Sequence, residues 1–147
     1  MKQNQPLRAK AFIKGGDEYP QICGEIWFFQ NGCSVLVTAK ITGLPKENTS
    51  GFFAMHIHQG KSFGGKDFAD SGTHFNPKNK PHPDHAGDLP PLLSCRGTAY
   101  LQVKTDRFNV RDIIGRTVII HSNADDFVTQ PSGNSGMKIA CGIIRRA

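Results

Sequence analysis

The sequence predicts an all-β fold, a sandwich or barrel of short strands interrupted by two long functional loops. Three observations point there. Glycine and proline are frequent, 16 and 9 in 147 residues, and mark many turns. Short segments alternate apolar and polar residues with the period of a half-buried strand. No segment carries a long 3.6-residue period, an internal repeat or a linker, so residues 1–147 read as a single domain.

The elements follow in order. Leu7, Ala9, Ala11 and Ile13 alternate with Arg8, Lys10 and Lys14, the first strand. Gln21 to Gln30 and Cys33 to Thr42 flank Asn31-Gly32, the strongest short hairpin signal. A turn centred on that pair sets Phe28 against Val35, Ile26 against Val37, Gly24 against Ala39 and Ile22 against Ile41, one apolar face. The opposite face carries Trp27, Phe29 and Leu36 beside Glu25, Thr38 and Lys40. Such a cluster is covered either by a neighbouring segment or by a second copy, and it permits a homodimer. Gly51 to His58 reads as a fourth strand. Gln59 to Asp88 has no period, and an irregular stretch this long inside a compact domain is usually functional. Strand character returns at Thr98–Val103, Arg116–His121 and Lys138–Ile144, with a second irregular segment at Ser122–Met137.

The formal charge of +6 favours anionic partners. The basic residues are scattered and never form a run, which argues against nucleic acid and leaves a small anionic substrate. No run approaches the roughly 18 apolar residues of a membrane span. Met1 to Phe12 is polar and basic with no apolar export core, so a cytoplasmic location is expected. Cys23, Cys33, Cys95 and Cys141 form no C-x-x-C pair.

All six histidines lie between positions 56 and 121. His56 and His58 are one residue apart in a strand, so both rings leave the same face about 7 Å apart. Alone, that pattern also describes two surface histidines. His74, His82, His85 and Asp88 make a closed tetrahedral set of the nitrogen and oxygen donors zinc accepts, which suits a structural ion organising the loop. His121 ends an apolar strand, where a backbone hydrogen bond is the plainer use, but His56 and His58 lack partners. Imidazole-rich sites suit copper(II).

Met55-His56-Ile57-His58, Gly72-Thr73-His74-Phe75-Asn76-Pro77 and His85-Ala86-Gly87-Asp88-Leu89 together resemble the copper,zinc superoxide dismutases. Gly115-Arg116-Thr117-Val118-Ile119-Ile120-His121, Ala124-Asp125-Asp126 and Gly133-Asn134-Ser135-Gly136, leading to Ala140-Cys141-Gly142-Ile143-Ile144, extend the resemblance over nearly the whole chain. It implies an eight-stranded antiparallel Greek-key β-sandwich or barrel. It implies copper held by His56, His58, His74 and His121, and zinc held by His74, His82, His85 and Asp88, with His74 shared between them. Asp125 would link a copper histidine to a zinc histidine, although Asp126 is adjacent. The implied activity is dismutation of superoxide to dioxygen and hydrogen peroxide, with His74 serving as ligand and proton carrier.

The chain departs from that pattern in three places. Lys138 stands where the family usually has arginine, keeping the charge that attracts superoxide but losing the rigid fork, so a less ordered anion site is expected. Cys141 matches one half of the usual disulfide, but the loop position for the other half holds Phe68, and free thiols are expected. His82-x-x-His85 is tight and the segment from His121 to Lys138 is short, which would leave copper more open to solvent. A non-catalytic copper or zinc module on the same fold is the rival reading, disfavoured because all four copper candidates are present. A zinc hydrolase would need an open position on zinc.

Overall fold

The computed structural model describes residues 5–48 and 50–147. The first four residues, part of the stretch read for an export signal, lie outside them. One antiparallel sheet curls through seven strands in the order β5-β8-β9-β1-β2-β3-β7. These are β1 (Arg8–Gly15), β2 (Cys23–Asn31), β3 (Ser34–Thr42), β5 (Met55–His58), β7 (Ala99–Thr105), β8 (Thr117–His121) and β9 (Lys138–Arg146). The connections from β3 to β5 and from β7 to β8 cross to strands that are not sheet neighbours, as Greek-key arrangements require. A separate pairing joins β4 (Phe52–Phe53) to β6 (Leu92–Leu93).

Gly51 to His58, expected as one strand, therefore divides at Ala54. Its N–H donates to Asn123 O at 2.8 Å and its carbonyl accepts from His121 N at 2.9 Å. Those bonds tie the break to the second loop and leave Phe52–Phe53 to pair with β6. A single helical turn, α1 (Val110–Ile113), buries Val110 and Ile113 under the curl.

The β2–β3 hairpin corrects the expected register. Asn31 pairs with Ser34, so the turn residues are Gly32 and Cys33, and Phe28 faces Val37, Ile26 faces Ala39 and Gly24 faces Ile41. Gly32 supplies the positive φ of 57° that the turn needs at its first position. Ser34 Oγ donates back to Asn31 O at 3.0 Å and Gln30 Nε2 to Gly32 O at 2.8 Å. The register differs from expectation by two residues, which returns every side chain to its own face. Ile26, Phe28, Val35, Val37, Ala39 and Ile41 accordingly remain in the core.

Inside the curl, Ala9, Ala11 and Ile13 of β1 pack with Met55, Ile57, Val118, Ile120, Ala140 and Ile144 from the other limb. β5 and β8 are buried at every position, not at alternate ones. Their second face is the one that carries His56 and His58, and loop segments cover it. Residues 85–88 run beside edge strand β5, where Ile57 N donates to Gly87 O and Phe75 N to Ile57 O, both at 2.8 Å. Isolated bridges join His56 with Asp88 and His58 with His74.

Candidate metal centre

β5 projects His56 and His58 away from the core, and the bridge at His58 brings His74 of the loop alongside. His121 arrives from the adjacent end of β8, where a register irregularity between Ile120 and His121 re-aims the ring. The donor atoms of His56, His58, His74 and His121 all lie within 4.8 Å of one another, and all four residues are buried. His58 Nε2 and His121 Nε2 stand 3.4 Å apart. The donor atoms of a second buried group, His74, His82, His85 and Asp88, likewise lie within 4.8 Å of one another, and His74 is common to both groups. Asp88 Oδ1 lies 2.7 Å from His74 Nδ1, and Asp88 Oδ2 lies 3.0 Å from His82 Nδ1 and 3.2 Å from His85 Nδ1.

Hydrogen bonds decide which nitrogen of His56, His58 and His82 is left for a metal. A carboxylate only accepts, so His56 Nε2 donates to Asp125 Oδ2 at 2.7 Å and His82 Nε2 to Asp125 Oδ1 at 2.8 Å. A carbonyl likewise makes His58 Nδ1 the donor to Gly72 O at 2.7 Å. The remaining nitrogens carry lone pairs. His56 Nδ1 and His74 Nε2 are buried without any hydrogen-bond partner. Unpaired buried nitrogens are costly, and a cation among them supplies what the protein does not. The residues therefore fit two metal ions.

Asp125, not Asp126, spans the two groups. Asp126 is exposed and receives hydrogen bonds from Val128 and Thr129. Gly133 permits the close approach: a Cβ there would collide with the Asp125 carboxylate and the His82 ring. Gln130 adds a contact that sequence reasoning missed. Its amide accepts from His82 N at 2.8 Å and donates to His82 O at 2.6 Å. Arg107 Nη1 also holds the tight loop at His82–His85, donating to Pro83 O and His85 O. Neither residue belongs to a motif, and the partners are 48 and 22 positions away.

Burial drives the electrostatics. It pushes His58 down to about 2, with the charge of His74 as the next cause, and pushes His121 well below the usual range. His56 is lowered by burial against the opposing hydrogen bond to Asp125. Burial alone would raise Asp125, yet hydrogen bonds from His56, His82 and Phe127 N–H outweigh it and keep the carboxyl ionised. Asp88 is lowered too, because the His74 hydrogen bond and the neighbouring imidazoles outweigh burial. Cys141, buried beside β8, is raised to about 12 and stays a thiol.

His58, His74, His85, His121 and Lys138 line a cavity of about 480 Å³ that opens between the two loops. Residues 22–144 match the family model for copper/zinc superoxide dismutase. The chain belongs to the copper/zinc superoxide dismutase family. Among its relatives, a superoxide dismutase [Cu-Zn] of Aquifex aeolicus is 31% identical, over 97% of this chain and 89% of that one. Another from Arabidopsis thaliana is 34% identical, over 94% and 90%. An extracellular superoxide dismutase [Cu-Zn] of Brugia pahangi is 32% identical, over 84% and 69%. The dismutase is thus an oxidoreductase that converts superoxide to dioxygen and hydrogen peroxide with copper and zinc. Among its described residues no helix is long and apolar enough to cross a membrane. All four cysteines are free. Lys138 Nζ, expected to be a loosely ordered charge, is instead held by three acceptors of the first loop.

Proposed function

We propose that copper is held by His56, His58, His74 and His121, and zinc by His74, His82, His85 and Asp88, within one domain spanning residues 1–147. The observation that carries this reading is that buried nitrogens without hydrogen-bond partners occur in both groups, His56 Nδ1 and His74 Nε2 in the first and His82 Nδ1 in the second, which Asp88 closes. Copper, when bound, supplies the electron transfer that oxidises one superoxide to dioxygen and reduces another to peroxide. The chain's own groups do the rest. Asp125 accepts from His56 Nε2 and His82 Nε2 and thereby sets both tautomers. His74 Nε2, buried and unpartnered, is where the chain can hold the proton that the reduced product needs. Lys138 places a positive charge at the cavity wall, which favours entry of an anion.

A closed zinc set leaves no open position for hydrolysis, and four copper donors favour catalysis over a passive binding module. The four free thiols favour a reducing compartment, hence the cytoplasm. On the outer sheet face Trp27 and Phe29 stack at 5.7 Å, and Lys10 Nζ lies 4.9 Å from the Trp27 ring. Pairing of two copies through this face is the matching proposal, and sedimentation equilibrium checks it.

Metal analysis with a superoxide-decay assay on protein reconstituted with both ions tests the reading. Turnover should vanish with the copper. Stoichiometric copper without turnover would sink the enzyme in favour of the binding module.

A further inference from the structure

Lys138 opens β9 at the wall of the copper-side cavity. An ammonium has three protons, and three acceptors from one short stretch of loop receive them. They are Ser71 Oγ at 2.8 Å, Gly72 O at 3.0 Å and Phe68 O at 3.4 Å. Ser71 is fully buried, and its hydroxyl donates onward to Phe68 O at 2.7 Å. Gly72 O accepts a second bond, from His58 Nδ1 at 2.7 Å. One carbonyl therefore joins the β9 ammonium to a histidine of the copper group.

The same stretch holds Phe68, where the resemblance leads to a cysteine, and Cys141 on β9 is a free thiol. No covalent bond ties the loop to the strand. Among the described residues, Asp67 and Phe68 carry positive φ values of 54° and 57°, a conformation that is costly for a phenylalanine unless its surroundings hold it. A lysine on an open surface would be a weak tether, since its flexible stem resists fixation. Here the stem is half-buried and the head has no proton to spare.

We infer that Lys138 is a positioning residue, its ammonium docking residues 68–72 onto β9 in place of the absent disulfide and holding the Gly72 carbonyl that orients His58. The inference rests on the reading of His58 as a copper ligand. A ligand imidazole depends on the partner of its other nitrogen, and losing such a partner costs about 10- to 100-fold in metal affinity. Lys138 acts one bond further out, so the lower end of that range, about tenfold, is expected. The charge still contributes to anion attraction, but the hydrogen bonds serve the loop and not the substrate.

The test replaces Lys138 with methionine in the copper- and zinc-loaded protein, keeping an apolar stem and removing the donors. Amide exchange at Asp70 and Gly72, whose N–H groups bond to Gly64 O and Ala69 O, should accelerate about tenfold or more. The copper(II) electron paramagnetic resonance spectrum should shift and copper affinity should fall about tenfold. Lys138→Arg, which restores donors, should recover much of both. Wild-type exchange and an unchanged copper spectrum, with only a slower reaction, would overturn the inference and leave Lys138 a guiding charge. Should Lys138→Met fail to fold, Ser71→Ala removes one acceptor and is read the same way. A His58→Ala control with an unaltered copper spectrum would instead sink the ligand reading, while amide exchange still judges the docking.

Discussion

Asparagine at position 125 keeps the shape of the side chain and removes its charge, and the surrounding donors decide which metal suffers. Asp125 Oδ1 receives two N–H groups, His82 Nε2 at 2.8 Å and Phe127 N at 2.8 Å. Oδ2 receives one, His56 Nε2 at 2.7 Å. An amide has a single acceptor oxygen, and the two-donor side claims it. Its NH₂ then faces His56 Nε2–H, donor against donor. His56 must break the bond or move its proton to Nδ1, the nitrogen that the proposed copper site needs. Losing a hydrogen bond to a charged group costs about 1.5–3 kcal/mol, or roughly 10- to 140-fold in copper affinity. His82 keeps an oxygen partner, now neutral, so zinc should lose only about fivefold, the ~1 kcal/mol between charged and neutral acceptors. Chelator competition for each metal measures both, with Asp126→Asn as the exposed control. A zinc loss equal to or greater than the copper loss would refute the reasoning.

Acidification tests the buried imidazoles of the metal-free protein. His58 titrates at about 2 when folded against 6.5 unfolded, so the unfolded chain takes up a proton that the folded chain refuses. Its contribution to stability is complete above pH 6.5 and falls as pH drops toward 2, by ~2 kcal/mol at pH 5. His56 and His121 act in the same direction. The melting temperature should therefore decline from pH 7.5 to 5, and a flat profile would contradict the burial argument. Thiol titration under denaturing, non-reducing conditions should count four thiols; a count of two would place a disulfide where the structure has none.

Alternation and spacing in the chain were enough to place most strands, because a half-buried strand repeats every two residues whatever lies above it. β5 and β8 could be recognised as strands, but their burial on both faces could not. That burial depends on loop segments returning over His56 and His58 from 16 to 32 positions later. The hairpin register escaped for a local reason: Asn31 and Gly32 suit a turn in either frame, and only the closed backbone shows that Gly32 takes its first position.

The histidines and Asp88 were legible as donors, since few other side chains can serve. Sequence alone marked out which residues could bind metal, and its resemblance to the family implied two sets sharing His74 and a bonded cysteine where Phe68 stands. Tertiary structure alone decided how they are oriented. The nitrogen that His56, His58 and His82 leave free follows from Asp125 and Gly72, the close approach of Asp125 to His82 depends on Gly133, and the hold on His82 depends on Gln130. The reach of Lys138 to Ser71 and Gly72 is likewise a fact of folding. Hydrogen bonds act over about 3 Å in space and are indifferent to separation along the chain, so no spacing rule could have shown them.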